Sequence, residues 1–366
     1  MIIGIDGHML GDHSGGNESF YYNVLKCMNV DKNDRIYLFV KDGVDTTEFE
    51  NKFIIVRFKS ANALVRNFIE LPKLCKKYNL DLLHTQYFIP FYRPCEVVCT
   101  IHDICFEHYK NIFTKKEYIR QKLLIPYAAK KSKLVFTVSE DAKKDIVDKY
   151  GLSNEKVIVT YNAVNEMFRK LDDKELNSQE LRQKFGLGEE RYILSVGNLQ
   201  PRKNLLRLIE AYHKVCDEVT EKVNLVIVGK KAWMYEDIFR DAKNGNGKII
   251  FTDYVSVEDL VRLYNEAACF VYPSFFEGFG IPALEAMACG TPIATSNKTA
   301  LPEVVGDAGL MFDPFDVNAI KNSIIQLLCD DELCSDLIKE GEIQKQKFNW
   351  NETAKIIMES YHNVTG

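Results

Sequence analysis

The 366 residues predict an α/β protein of two doubly wound domains, each a parallel sheet covered by helices on both faces. Three observations carry this expectation. Short β-branched runs alternate with longer amphipathic stretches through most of the chain. The alternation comes in two sets, divided by the polar, strand-free segment EMFRKLDDKELNSQELRQKFGLGEER, Glu166 to Arg191. The length also suffices for two cores of ordinary size.

In order, the first set of strand candidates is MIIGID, RIYLFV, FIIVRF, DLLHT, EVVCTI, KLVFTVS and KVIVTY, short apolar runs rich in β-branched residues in all but DLLHT. The second is RYILSVGN, NLVIVG, KIIF, ACFVYPS and TPIATS. Helical periodicity fills the intervals, at Asn17 to Cys27, Ala63 to Lys77, Lys116 to Lys131, Asn204 to Cys216 and Val257 to Ala267. The expected domains are residues 1–167 and 168–349, followed by an amphipathic helix over 350–366.

Composition narrows the function classes. A net charge of −5 argues against nucleic acid as the main partner, whose footprint is basic. The ten cysteines show no CxxC or Cys/His spacing of zinc type. Most lie in apolar runs such as EVVCTI and AACFVY, as small hydrophobes in a reducing compartment. The opening MIIGIDGHML is too short and too acidic for a signal peptide, and it reads as a first strand. No run approaches the ~18 apolar residues of a membrane span. A cytoplasmic protein is expected.

Doubly wound sheets bind ligands beyond the carboxyl ends of their strands, and two such domains leave a cleft there. The loops after the strands are therefore the places to look. After MIIGID, Gly15 and Gly16 precede a helix whose amides suit an anion. The GxGxxG fingerprint is absent, which disfavours a dehydrogenase. After EVVCTI come His102 and Asp103, either cleft residues or core and capping residues. In SVGNLQPRKNLLRLIEAY a strand ends at Gly197, a turn carries Pro201, and Arg202 and Lys203 open a helix with Leu205, Leu206, Ile209 and Tyr212 on its apolar side. Cations there oppose the helix dipole. An arginine fork beside a lysine suits a diphosphate; solvated surface charge is the plain alternative.

The most informative stretch is SFFEGFGIPALEAMACGTP, Ser274 to Pro292. A glycine-flanked loop leads into a helix with Pro282 in its first turn, and the amides around Phe279 to Ala283 make a second anion site. Glu285, placed in the first turn, is explicable by the dipole alone. Glu277 lies outside the helix, and a carboxylate there can accept both hydroxyls of a vicinal diol. Two carboxylates with cations and amides between them outline a nucleotide-sugar site.

These segments resemble the retaining glycosyltransferases of family 4. The family's Glu-x7-Glu element corresponds to Glu277 and Glu285 in EGFGIPALEAMACGTPIATS, followed by LPEVVGDAGLMFDP. The resemblance continues in VGNLQPRKNLLRLIEAY, FTVSEDAKKDI, YNAV around Asn162, and TIHD, and so spans most of the chain. It implies the GT-B fold, with two Rossmann-like domains facing across a cleft and the C-terminal helix from Trp350 returning to the first. It also implies transfer of a hexose from a nucleotide-sugar to a glycan or lipid-linked acceptor with retention of configuration, as in polysaccharide biosynthesis. The implied donor is GDP-mannose, as in bacterial mannosyltransferases, with UDP-sugars next. The roles implied are diphosphate binding by Arg202 and Lys203, ribose by Glu285, and the transferred sugar by Glu277 and His102. The amides of Phe279, Gly280 and Ile281, with Gly15, Gly16, Gly197 and Asn198, surround the diphosphate. Tyr254 and Val255 approach the base, and Asp103 lies towards the acceptor.

Two departures stand out: Arg202 and Lys203 are adjacent, where many relatives separate them, and GGNESF replaces an aliphatic residue after the glycines. With no DxD motif, neither a metal nor any other cofactor is implied. The stretch Lys110 to Lys133 carries eight Lys or Arg against one acidic residue, with Ile119, Leu123, Leu124 and Ile125 interleaved. It is either a solvated helix face or a contact with the inner leaflet. A nucleotide-sugar 2-epimerase, a phosphorylase and a non-catalytic partner of another transferase are the competing expectations.

Overall fold

The computed structural model describes residues 1–11, 15–230, 236–242 and 245–365; residues 12–14 of the first glycine loop and residue 366 of the expected last helix lie outside these. Parallel strands build both sheets. The first holds β1 (Ile2–Asp6), β2 (Arg35–Val40), β3 (Ile54–Arg57), β4 (Leu82–Gln86), β5 (Glu96–Thr100), β6 (Val135–Thr137) and β7 (Val157–Val159). The second holds β8 (Arg191–Val196), β9 (Val223–Val228), β10 (Lys248–Asp253), β11 (Cys269–Tyr272), β12 (Ile293–Ser296) and β13 (Gly309–Phe312).

The spatial orders are β3-β2-β1-β4-β5-β6-β7 and β10-β9-β8-β11-β12-β13. Each sheet starts in its middle, runs to one edge and returns to build the other. The direction of winding therefore switches between β1 and β4, and between β8 and β11. Helices on both faces explain why the strands are apolar without alternation: β4, β9, β11 and β12 are buried along their whole lengths. The edge strand β13 has no counterpart among the sequence expectations. Its GLMF is short and partly exposed, with Met311 37% accessible, so no β-branched run marks it.

The chain divides into two units. One comprises Met1–Asn162 with the segment from Asn349 onward, the other Ala163–Phe348. The polar segment after Glu166 carries two short helices, Asp173–Leu176 and Ser178–Phe185, in the second unit. In the first unit, the final helix Trp350–Thr365 packs on the helix Gly16–Cys27, with Trp350 edge-on to Phe20 at 6.1 Å. Tyr361 is fully buried and its hydroxyl meets Nδ1 of His84 on β4, while Thr353 Oγ1 donates to the Tyr161 carbonyl at 2.6 Å. Among the described residues, no helix is long and apolar enough to cross a membrane.

Candidate active site

In the second unit, the loops after β8 and β11 meet at the point where the sheet changes direction. That is where a doubly wound sheet leaves its ligand crevice. The loop after β8 begins at Gly197, where φ is +150° and an added Cβ would come within 2.9 Å of Lys203 Cε. Gly229, after β9, packs beneath it, so that a Cβ there would fall 2.2 Å from the Gly197 carbonyl oxygen. The chain can thus lie flat across the sheet end and let the Lys203 side chain fold back over it.

Arg202 and Lys203 do not open the long helix, contrary to the sequence expectation. They occupy a single 3-10 turn, Pro201–Lys203, and Asn204 breaks the chain at φ +57° before the helix Leu205–Glu218. Leu206, assigned to that helix's apolar side, is 40% exposed; Leu205, Leu208, Ile209 and Tyr212 form the buried stripe. Asn204 is itself buried and donates to the carbonyls of Pro273 (3.0 Å) and Pro314 (2.7 Å). With the Phe275 amide donating to the Arg202 carbonyl at 2.9 Å, this ties the turn to the loop after β11.

The side chains of that turn converge on Glu277. Lys203 Nζ donates to Glu277 Oε1 at 2.7 Å and to the hydroxyl of Tyr272, the last residue of β11. Arg202 Nη1 donates to Glu277 Oε2 at 2.8 Å and to the Phe276 carbonyl at 3.1 Å. Lys203 and Glu277 are 7% and 6% exposed, so the pair sits out of water. Burial raises the carboxyl's pKa, but Arg202 and Lys203 more than offset it and hold Glu277 down at about 2. The sequence reading spread the cations and the carboxylate along a ligand; here they bind one another.

Glu285 is the fifth residue of the helix Ile281–Ala288, past the first turn where the sequence reading put it, so the dipole does not explain it. Its Oε2 accepts from the Tyr264 hydroxyl at 3.0 Å, and burial raises its pKa to about 7. Gly280 enters this helix at φ +108° with no side-chain cap, and Leu301 Cδ2 lies 2.6 Å from where its Cβ would be. Phe279 is buried edge-on to Phe348, and Ile281 is half-buried. Asn198 is exposed at the end of β8. After β10, Tyr254 is 61% exposed beneath Lys230, whose Nζ lies 4.6 Å from the ring centroid, and Val255 is buried.

In the first unit, His102 follows β5 and is 5% exposed. Its Nε2 accepts from the Gln86 amide at the end of β4, and Phe20 meets the ring edge-on at 5.0 Å. Burial pulls its pKa down to about 3, so the imidazole is neutral. Asp103 Oδ1 accepts the Cys105 amide at 2.9 Å, a local turn contact. Gly15 precedes the helix Gly16–Cys27 at φ +75°, and both glycines are exposed.

Three neighbours were missed in the sequence. Tyr272 and Tyr264 read as core aromatics of a strand and a helix, and only their hydroxyls' partners mark them. Gln86 follows DLLHT without a motif of its own. Among the described residues, no group of three or more His, Cys, Asp or Glu is placed to hold a metal ion.

Comparison with known proteins gives a consistent result. The model described as Glycosyl transferases group 1 matches residues 177–344, and that described as Glycosyltransferase Family 4 matches residues 15–167. The chain is 35% identical over 283 residues to O-antigen chain mannosyltransferase B of Escherichia coli, covering 74% of this chain and 72% of that one. It is 32% identical to the serotype-specific mannosyltransferase WbdA of Escherichia coli over 73% of this chain, but spans only 33% of WbdA. The structure of Anabaena HepE in complex with UDP and glucose superposes with a TM-score of 0.76 at 18% identity, covering 99% of this chain and 100% of that one.

Proposed function

The chain belongs to glycosyltransferase family 4 and has the GT-B fold, and from that premise we propose that it transfers mannose from GDP-mannose to a growing glycan with retention of configuration. The observation that carries the reading is the pair of loops after β8 and β11, which hold a buried Lys203 and a partly exposed Arg202 against one buried carboxylate at the end of the sheet. Departure of a nucleoside diphosphate builds negative charge on the leaving phosphate. Fixed cations stabilise that charge without reorganising at the moment of reaction. In this reading Arg202 and Lys203 supply them, and Glu277, already holding both, reaches a hydroxyl of the transferred sugar. Glu285 takes the ribose diol. His102, neutral, hydrogen-bonds the sugar through its imidazole. The amides at Phe279, Gly280 and Ile281 assist at the helix entrance. No step requires a metal or another cofactor.

The names of the mannosyltransferase relatives support mannose, whereas HepE was solved with UDP and glucose, so the base is the first thing to test. A panel of GDP- and UDP-sugars, assayed for nucleoside diphosphate release, discriminates them. The reading expects GDP-mannose to be turned over fastest. A UDP-sugar in that place replaces the donor, and no turnover of any donor removes the reading.

For the acceptor, we read a lipid-linked glycan at the cytoplasmic membrane face. The helix Lys115–Lys131 leaves Ile119 and Leu123 56% and 67% exposed among Lys115, Lys116, Arg120 and Lys122. Apolar side chains framed by cations suit an anionic bilayer. Sedimentation with vesicles is expected to carry the protein down only when anionic lipid is present. Equal recovery with neutral vesicles contradicts the membrane contact.

A further inference from the structure

Thr299 stands in the turn between β12 and the short helix Leu301–Val305 with φ at +53°. A β-branched residue takes that left-handed conformation only where its surroundings hold it there. Its hydroxyl accepts the Glu277 amide at 3.0 Å. Two residues on, Leu301 fills the space that a side chain on Gly280 would need. The turn therefore grips the Glu277 loop at two points three residues apart.

Glycine would adopt this backbone without strain but brings no hydroxyl. Valine would keep the branched shape and lose the acceptor. We infer that Thr299 is a positioning residue: its strained backbone aims Oγ1 at the Glu277 amide and so fixes the carboxylate between Arg202 and Lys203. This rests on the transferase reading of that site, and it adds a residue that acts through Glu277.

The test compares Thr299→Ser, Thr299→Val and Thr299→Gly, using the nucleotide-sugar that the wild type turns over fastest. Thr299→Ser keeps the hydroxyl and is expected within about threefold of wild-type kcat/KM. The Val and Gly variants are expected to lose about tenfold or more, chiefly in kcat, because misplaced cations weaken transition-state stabilisation. In Thr299→Gly, relief of strain opposes the entropy of a looser unfolded chain, so Tm stays within a few degrees while activity falls. A purely structural role predicts that Tm and activity fall together. Wild-type kcat/KM in either the Val or the Gly variant, or an equal loss in Ser and Val, overturns the inference. Should the Gly variant fail to fold, the Ser and Val pair still decides. Lys203→Ala is run alongside: its loss of activity beside an active Val variant refutes only Thr299, whereas its full activity refutes the site reading.

Discussion

Glu277 is ionised because two cations face it, and this gives its contribution to stability a defined pH window. Its folded pKa, about 2, lies below the ordinary 4.5, so the stabilisation is complete above about 4.5 and is lost as pH falls towards 2. The full gap corresponds to about 3 kcal/mol. Glu277→Gln removes the titrating group. The stability difference between wild type and Glu277→Gln, from urea denaturation, is expected to shrink by about 2 kcal/mol between pH 7 and pH 3. A difference independent of pH in that range contradicts the pairing. The sequence singled out charged loop residues but not how they pair. Glu277, Arg202 and Lys203 were visible because a charge on a glycine loop or an adjacent basic pair lacks an apolar explanation. That they share one ion cluster depends on a turn 74 residues from Glu277, which no local pattern encodes.

The elements that bring these residues together are tight turns, and their tolerance is small. Gly229→Ala puts a methyl group onto the Gly197 carbonyl, at a backbone φ of +155° that alanine rarely adopts. It is expected to cost about 1–3 kcal/mol, seen as a Tm lower by several degrees, and to raise the donor KM through the displaced loop. Unchanged Tm and KM contradict the close packing of the two turns. Most strands were legible because both faces are covered, which leaves runs such as NLVIVG apolar throughout. GLMF escaped because an edge strand needs only half that signal. The helix start near Arg202 was misplaced because Asn204, in a left-handed conformation, ends one turn and begins the next. A periodicity that continues from Leu205 hides that break.

At the scale of the molecule, the chain leaves its first unit after Asn162 and returns at Asn349, so the first unit is completed only by the last helix. That helix buries Trp350, Ala354, Ile357, Met358 and Tyr361. At about 1.5–3 kcal/mol for each large apolar side chain, their loss is comparable to the whole margin of a typical domain. Residues 1–162 alone are therefore expected not to fold cooperatively, while 163–348 are expected to melt as a unit. A sharp thermal transition in the 1–162 fragment contradicts the assignment of the helix. The sequence reading divided the chain after residue 167 on the polar segment, five residues beyond Asn162 where the units divide, and took the return of the last helix from the family resemblance. In the proposed function, Lys203 and Arg202 at the end of the second sheet stabilise a leaving nucleoside diphosphate. The most direct measurement is kcat/KM for the preferred donor in Lys203→Ala against wild type, with folding matched by circular dichroism. The account predicts a loss of about a hundredfold or more. A folded Lys203→Ala enzyme within about threefold of wild type would contradict it.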